Sequence, residues 1–211
     1  MSLFRWLQRI RHSRGYGIHS PFAFYLIRYV LRSKLRFYAF DDIEADLLKN
    51  CPGRNPVKEF HHLCFRLVHY LKPKNILEIY SGRGVNTLFL LSPASDIRCT
   101  CVEERAEEVA VAGHLTAGRS SHCTFLPALP RQGKYDAIFI HMRKGGSLSV
   151  DSLLRLSHEG TFWVIHPLKV SRSKQFWRSI VKDERARITF DRKDTGIVFL
   201  RHTYSKLHYE I

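Results

Sequence analysis

Asn75-Ile-Leu-Glu-Ile-Tyr-Ser-Gly-Arg-Gly-Val-Asn-Thr-Leu-Phe-Leu-Leu-Ser92 decides the fold of this chain. Ile76 to Ile79 is a short apolar run with β character. Ser81, Gly82 and Gly84 make a tight turn of small residues. Val85 to Leu91 then reads as the first turns of a helix. A strand, a glycine turn and a helix follow one another, with Glu78 near the strand's end. Glycine has no Cβ and tolerates positive φ, so such a turn lets a ligand approach the backbone. The helix behind it presents unpaired N–H groups. The arrangement suits a nucleotide-like cofactor at the carboxyl edge of a parallel sheet.

Two patterns compete for this turn. A dinucleotide-binding site wants G-x-G-x-x-G, and Gly82, Gly84 and Thr87 supply only its first two glycines. The other is an acidic residue followed by G-x-G-x-G. Glu78, Gly82 and Gly84 match it, and Tyr80 stands where the first glycine belongs.

The segments around the turn separate the two. From Asn75 onward the pattern alternates strand and helix, as in an α/β sheet. Strands are expected at Asn75–Ile79, Ile97–Glu103, His122–Leu126, Asp136–His141 and Thr161–His166. Helices are expected at Ala106–Ala117, Ser149–Ser157 (its stop at Gly160) and Ser173–Lys182. Two further strands, Ala186–Asp191 and Gly196–His202, are separated only by Arg192–Thr195. A parallel crossover needs about a dozen residues, so these two form a hairpin and the sheet ends with an antiparallel strand. A dinucleotide-binding sheet does not end that way.

Upstream, residues 1–72 read as helical and 73–211 as the α/β domain. Leu3, Phe4, Leu7 and Ile10 have the spacing of a short amphipathic helix. Ser20 is a good N-cap and Pro21 suits a first helical position, which starts a helix running to about Ser33. Asp41–Leu48 and Val57–Leu71 follow, the second closed by Lys72-Pro73. Residues 1–36 carry eight Lys/Arg and no acid, within a formal net charge of +15. Such an arm attracts an acidic partner, an anionic membrane surface or nucleic acid; the plain alternative is a solvated basic segment. No apolar run reaches the roughly 18 residues of a membrane span. The first residues lack an uninterrupted signal-peptide core, and five cysteines without a C-x-x-C pair suit a reduced, cytoplasmic protein.

Taken together, these segments resemble the class I S-adenosylmethionine (SAM)-dependent methyltransferases, and most closely a bacterial O-methyltransferase-like group. That group carries an H-G-I-H-S-P-F-type motif in a helical N-terminal extension, matched by Tyr16–Phe22. It closes on a strand matched by Gly196-Ile-Val-Phe-Leu-Arg201. The resemblance implies a Rossmann-like, seven-stranded, mostly parallel sheet with a C-terminal antiparallel hairpin strand, plus N-terminal helices. It implies SAM as cofactor and a small-molecule acceptor. Glu78, Tyr80, Gly82 and Gly84 would line the methionine part of SAM. Glu103 would accept the ribose hydroxyls, the plain alternative being a surface carboxylate at a helix start.

The departures bear on chemistry. Where the group has Asp at the ends of strands four and five, this chain has His141 and His166. Magnesium wants oxygen ligands, so no Mg²⁺ site is expected. Neutral imidazole can act as a general base, which makes His141 and His166 the candidate catalytic residues. A borderline-metal site is a poorer reading. A decayed site that keeps only the fold is another, since fold does not imply function. Three functions therefore stand: a SAM-dependent O-methyltransferase without Mg²⁺, a non-catalytic methyltransferase-like binding module, and a nucleic-acid methyltransferase. The last is the weakest, because no N-P-P-[YF]-type motif ends strand four and charge alone supplies affinity without specificity.

Overall fold

A computed structural model describes residues 17–50, 57–143 and 148–211. The expected Leu3–Ile10 helix and residues 1–16 of the basic arm lie outside these residues. Eight strands form one mixed sheet in the order β3-β2-β1-β4-β5-β7-β6-β8. They are β1 (Asn75–Ile79), β2 (Arg98–Val102), β3 (Cys123–Leu126), β4 (Tyr135–His141), β5 (Ser157–His166), β6 (Ile188–Asp191), β7 (Gly196–Phe199) and β8 (Leu207–Glu210). The described helices are α1 (Pro21–Leu26), α2 (Tyr38–Asn50), α3 (Glu59–Leu71), α4 (Val85–Leu91), α5 (Ala106–Leu115), α6 (Val150–Arg155) and α7 (Ser171–Lys182). None of them is long and apolar enough to cross a membrane. The chain divides into two compact units, Ser33–Arg131 and the remainder.

In the Ser33–Arg131 unit, β1, β2 and β3 pair in parallel, Glu78 opposite Cys101 and Cys99 opposite Cys123. Its helical core is aromatic. Phe40, Ile43 and Leu47 of α2 pack with Phe65 of α3 and with Leu88 and Phe89 of α4, all buried. Burying each large apolar side chain stabilises by roughly 1.5–3 kcal/mol. Lys72 ends α3 in the left-handed region at φ 53°, its N–H donating to the Val68 carbonyl. Pro73 follows, so the Lys-Pro pair stops the helix where the sequence reading places it.

In the other unit, β4 and β5 pair in parallel, and β7 lies antiparallel between β5 and β6. The hairpin is the one expected from the four-residue connection. Ser20 caps α1 by accepting from the Ala23 N–H at 3.3 Å, with Pro21 at the first helical position. The helix passes into a π turn, Ile27–Leu31. Phe22 meets Phe199 edge-on at 4.9 Å and stacks on Tyr204 at 5.1 Å. The Ser-Pro-Phe motif and the Gly-Ile-Val-Phe strand, far apart in sequence, thus pack on one another.

Two details differ from the sequence reading. Gly160 does not stop a helix: α6 ends at Arg155 and β5 already begins at Ser157. The β4–β5 register jumps from Tyr135 opposite Ser157 to Ala137 opposite Phe162, so the intervening residues bulge out of the ladder. Hydroxyls hold the bulge. Thr161 donates to the Tyr135 carbonyl at 2.6 Å and accepts from the His158 N–H, while the Trp163 indole donates to Ser157 Oγ at 2.9 Å. Secondly, the sheet has an eighth strand. Residues Leu207–Glu210 alternate in burial and pair in parallel with β6, at the edge of the sheet.

Gly196 carries the packing of α7 on this unit. A Cβ there would lie 2.5 Å from the Trp177 ring, which is itself buried. We expect Gly196→Ala to destabilise the protein by about 1–3 kcal/mol, the range for overpacking a tight core. A lowered urea midpoint or melting temperature checks this.

Candidate active site

Two groups of site residues emerge, one in each unit. The first is the turn after β1. Tyr80, Gly82 and Gly84 have φ of 60°, 58° and 78°. Three left-handed residues in five fold the backbone into a tight concave loop. It is tied to the end of β2, because the Tyr80 and Ser81 N–H groups both donate to the Val102 carbonyl, at 2.8 and 3.3 Å. The glycines do different work. Gly84 lies against α5, where a Cβ would come within 3.0 Å of Ala112 Cβ. Gly82 has no atom within 4 Å of where its Cβ would stand, so the loop is open at that point. Tyr80 takes a left-handed conformation that costs a non-glycine L-residue about 1–2 kcal/mol.

Glu103 is almost fully buried just beyond β2. Its Oε2 accepts from the Gly82 N–H at 2.9 Å, and its Oε1 accepts from the Arg105 N–H at 3.1 Å and Nε at 3.3 Å. The structure therefore joins Glu103 to the glycine turn. Ser81 Oγ, beside it, is buried and has no hydrogen-bond partner among the described residues.

Glu78 is fully buried. Its carboxylate accepts from Asn86 Nδ2 at 2.8 Å and Thr87 Oγ1 at 2.5 Å, both in the first turn of α4. These partners escaped the sequence reading, although two polar residues opening an otherwise apolar helix were a visible signal. Cys101 Sγ lies 3.8 Å from the same carboxylate, 3.7 Å from Cys99 Sγ and 3.6 Å from Cys123 Sγ. Glu78, Cys99 and Cys101 are spaced closely enough to suggest metal ligands, and both thiols are raised above their ordinary range. The Cys101 hydrogen bond pulls Cys99 down, yet burial and the Glu78 charge outweigh it and push the thiol up to about 11. Bonding to Cys101, then burial, also push Cys123 up. The cluster is a hydrogen-bonded core of the β2–β3 layer.

The second group closes strands β4 and β5. His141 and His166 are register partners on these parallel neighbours, so both emerge on the same face of the sheet. Each is half-buried. His166 Nδ1 lies 3.1 Å from the Asp194 carbonyl oxygen and 3.1 Å from Thr195 Oγ1. A carbonyl only accepts, so Nδ1 is a nitrogen that carries a proton. Asp194 is held in turn: its carbonyl accepts from the Leu168 N–H at 2.9 Å, and Lys169 Nζ lies 3.0 Å from its Oδ2. Asp194 and Thr195 lie in the β6–β7 hairpin, 28 and 29 residues from His166, and no local pattern pointed to them.

No family model and no curated protein sequence matches the chain. Solved structures do. A SAH-bound methyltransferase from Podospora anserina superposes with a TM-score of 0.63 at 14% identity, covering 87% of this chain and 97% of that one. An O-methyltransferase from Streptomyces achromogenes in complex with SAM gives 0.58 at 13%, covering 84% and 94%. An O-methyltransferase from Bacillus cereus in complex with SAH gives 0.57 at 15%, covering 79% and 92%. At these identities the likeness is one of fold: the chain shares the α/β fold of these methyltransferase structures.

The raised thiols couple stability to alkaline pH. A thiol whose folded pKa lies above its unfolded value near 9 binds more protons when folded. Its contribution is full below pH 9 and is lost as pH rises through about 11. We expect the urea midpoint to fall over this window, and to fall less steeply in Cys99→Val.

Proposed function

We propose that this chain is a SAM-dependent methyltransferase that transfers a methyl group to the hydroxyl of a small-molecule acceptor, without Mg²⁺. The observation that carries the proposal is the left-handed turn, open at Gly82 and bonded to a buried carboxylate at the end of the next strand. Support comes from the neighbours that share the fold and were crystallised with SAM or SAH.

The residues present suit the cofactor in most respects. Gly82 leaves room for a ligand against the backbone, and Ser81 offers a buried hydroxyl with an unmet hydrogen bond. Glu103 would take the ribose hydroxyls, since a carboxylate has lone pairs beyond those used by Gly82 and Arg105. Gly84 and Glu78 hold the turn in shape, and Tyr80 borders the methionine end. Bound SAM supplies an electrophilic methyl on a sulfonium. The chain's own contribution is position and a proton acceptor. His166 offers Nε2 as base because Asp194 and Thr195 hold its proton on Nδ1, and His141 stands beside it as the second candidate. Imidazole replaces carboxylate at both positions, which removes the oxygen ligands that Mg²⁺ prefers.

One pair of observations favours a second reading, a methyltransferase-like module that does no chemistry. Both Glu103 oxygens already have internal donors, and Tyr80 occupies a position that favours glycine.

Calorimetry with SAM and SAH separates the two. We expect a Kd in the micromolar range, about −8 kcal/mol. Tyr80→Gly should tighten it by roughly threefold or more, as the left-handed strain and the ring are removed together. Silence of both proteins up to about 1 mM ligand would leave the non-catalytic reading standing.

The histidines are tested separately. Nitrogen-15 NMR should find neutral His166 protonated on Nδ1. With SAH release measured over a panel of hydroxyl acceptors, His141→Ala or His166→Ala should cut kcat by about 100-fold or more. SAM affinity should stay within about threefold, or roughly 0.7 kcal/mol. Unchanged rates in both variants would remove the pair as the base.

A further inference from the structure

Strand β8, absent from the seven-strand expectation, has a consequence for the surface. Helix α7 lies over β7, where the Trp177 ring covers Gly196. The sheet continues past the helix through β6 to β8. The uncovered margin forms a groove of about 540 Å³ between α7 and the outer strands. Its floor is one face of those strands, with Asp191 of β6 and His208 and Glu210 of β8. Leu168, Trp177 and Val181 give it an apolar strip.

One wall of the groove is strongly cationic. Lys174, Arg178 and Lys182 line one wall, and Lys193 of the β6–β7 hairpin also lines it. The first three recur every four residues, so they stand in a row about 6 Å apart along α7. All four are exposed, and none of their side chains makes an ion pair or hydrogen bond with a described residue. Several other cations of the same unit are engaged: Arg185 with Asp151 and Asp183, Lys169 with Asp194, Arg187 with the Tyr204 carbonyl, and Lys206 with the Ala186 carbonyl. The four cationic heads outnumber the two carboxylates. Like charges in a row repel, and an anion that bridges them relieves that repulsion.

We propose that this groove binds a small molecule carrying two or more linked phosphates, its organic part lying on the strip formed by Leu168, Trp177 and Val181. The volume falls in the range of small-ligand sites, about 300–1,000 Å³. A row of cations suits a chain of phosphates better than a single carboxylate, because each added charge finds its own partner. The site is independent of the methyltransferase reading and uses none of its residues.

The test titrates the full-length protein with ATP, inorganic tripolyphosphate and adenosine by calorimetry at about 0.1 M salt, where surface charge is screened beyond about 10 Å. ATP and tripolyphosphate should bind and adenosine should not. Lys174→Ala/Arg178→Ala should weaken ATP by about tenfold or more, with the far-ultraviolet circular dichroism and SAM affinity unchanged. Arg178→Ala/Lys182→Ala serves as a second variant and should do the same. Equal ATP affinity in both double variants would overturn the proposal, since it would mark diffuse attraction to a basic protein. So would the absence of ATP and tripolyphosphate binding up to about 1 mM. A single-stranded oligonucleotide that binds about tenfold tighter than ATP and loses its affinity in the same variants would make the occupant a nucleic-acid strand and overturn the small-molecule assignment.

Discussion

A buried carboxylate organises the centre of the Ser33–Arg131 unit. Glu78 lies on β1 with no access to water, and an isolated charge in that position would cost several kcal/mol. The cost is offset only if donors reach it. Asn86 and Thr87 are those donors, and they sit in the first turn of α4. Their bonds therefore set the distance and angle between strand and helix. The backbone between them has five residues to reverse direction, and it does so through three left-handed residues, two of them glycines. The open loop at Gly82 follows from a buried charge two residues before Tyr80.

The same turn shows how a binding loop and a strained loop overlap. Tyr80 holds a conformation in which glycine would be unstrained, and the two Val102 bonds together with the Glu103–Gly82 bond keep it there. Strain of this sort persists only where the surroundings over-determine it. Glu103 is half of that restraint, so the carboxylate proposed to read a ribose also shapes the loop. Its bonds to Arg105 and Gly82 close the site on itself, so binding must share or replace those contacts.

In the second unit the sheet edge assembles the histidine pair. Parallel pairing of β4 and β5 brings His141 and His166 side by side, and the antiparallel hairpin returns Asp194 and Thr195 to His166. The hairpin thus does more than finish the sheet, because it selects the tautomer of an imidazole. The eighth strand then widens the sheet beyond its covering helix and leaves a groove walled by four cations whose side chains form no ion pair with a described residue.

Periodicity and turn chemistry are local, and what depended on them was legible in the sequence: the strand–turn–helix at Asn75–Ser92, the alternation of strands and helices, the Ser20 cap, the Lys72-Pro73 stop and the final hairpin. The places of Glu103, His141 and His166 at or beside strand ends were legible for the same reason. The β5 bulge was not, because Gly160 reads equally as a helix stop until the Thr161 and Ser157 hydroxyls are seen to hold the strand. Strand β8 was too short to announce itself, since four residues carry little periodicity and its stability comes from pairing with β6. The partners of Glu78, Glu103 and His166 were beyond reach too. Apart from the local Arg105–Glu103 bonds, these hydrogen bonds join residues 8 to 29 positions apart; they depend on where the folded sheet brings side chains together, and only the tertiary structure decides that.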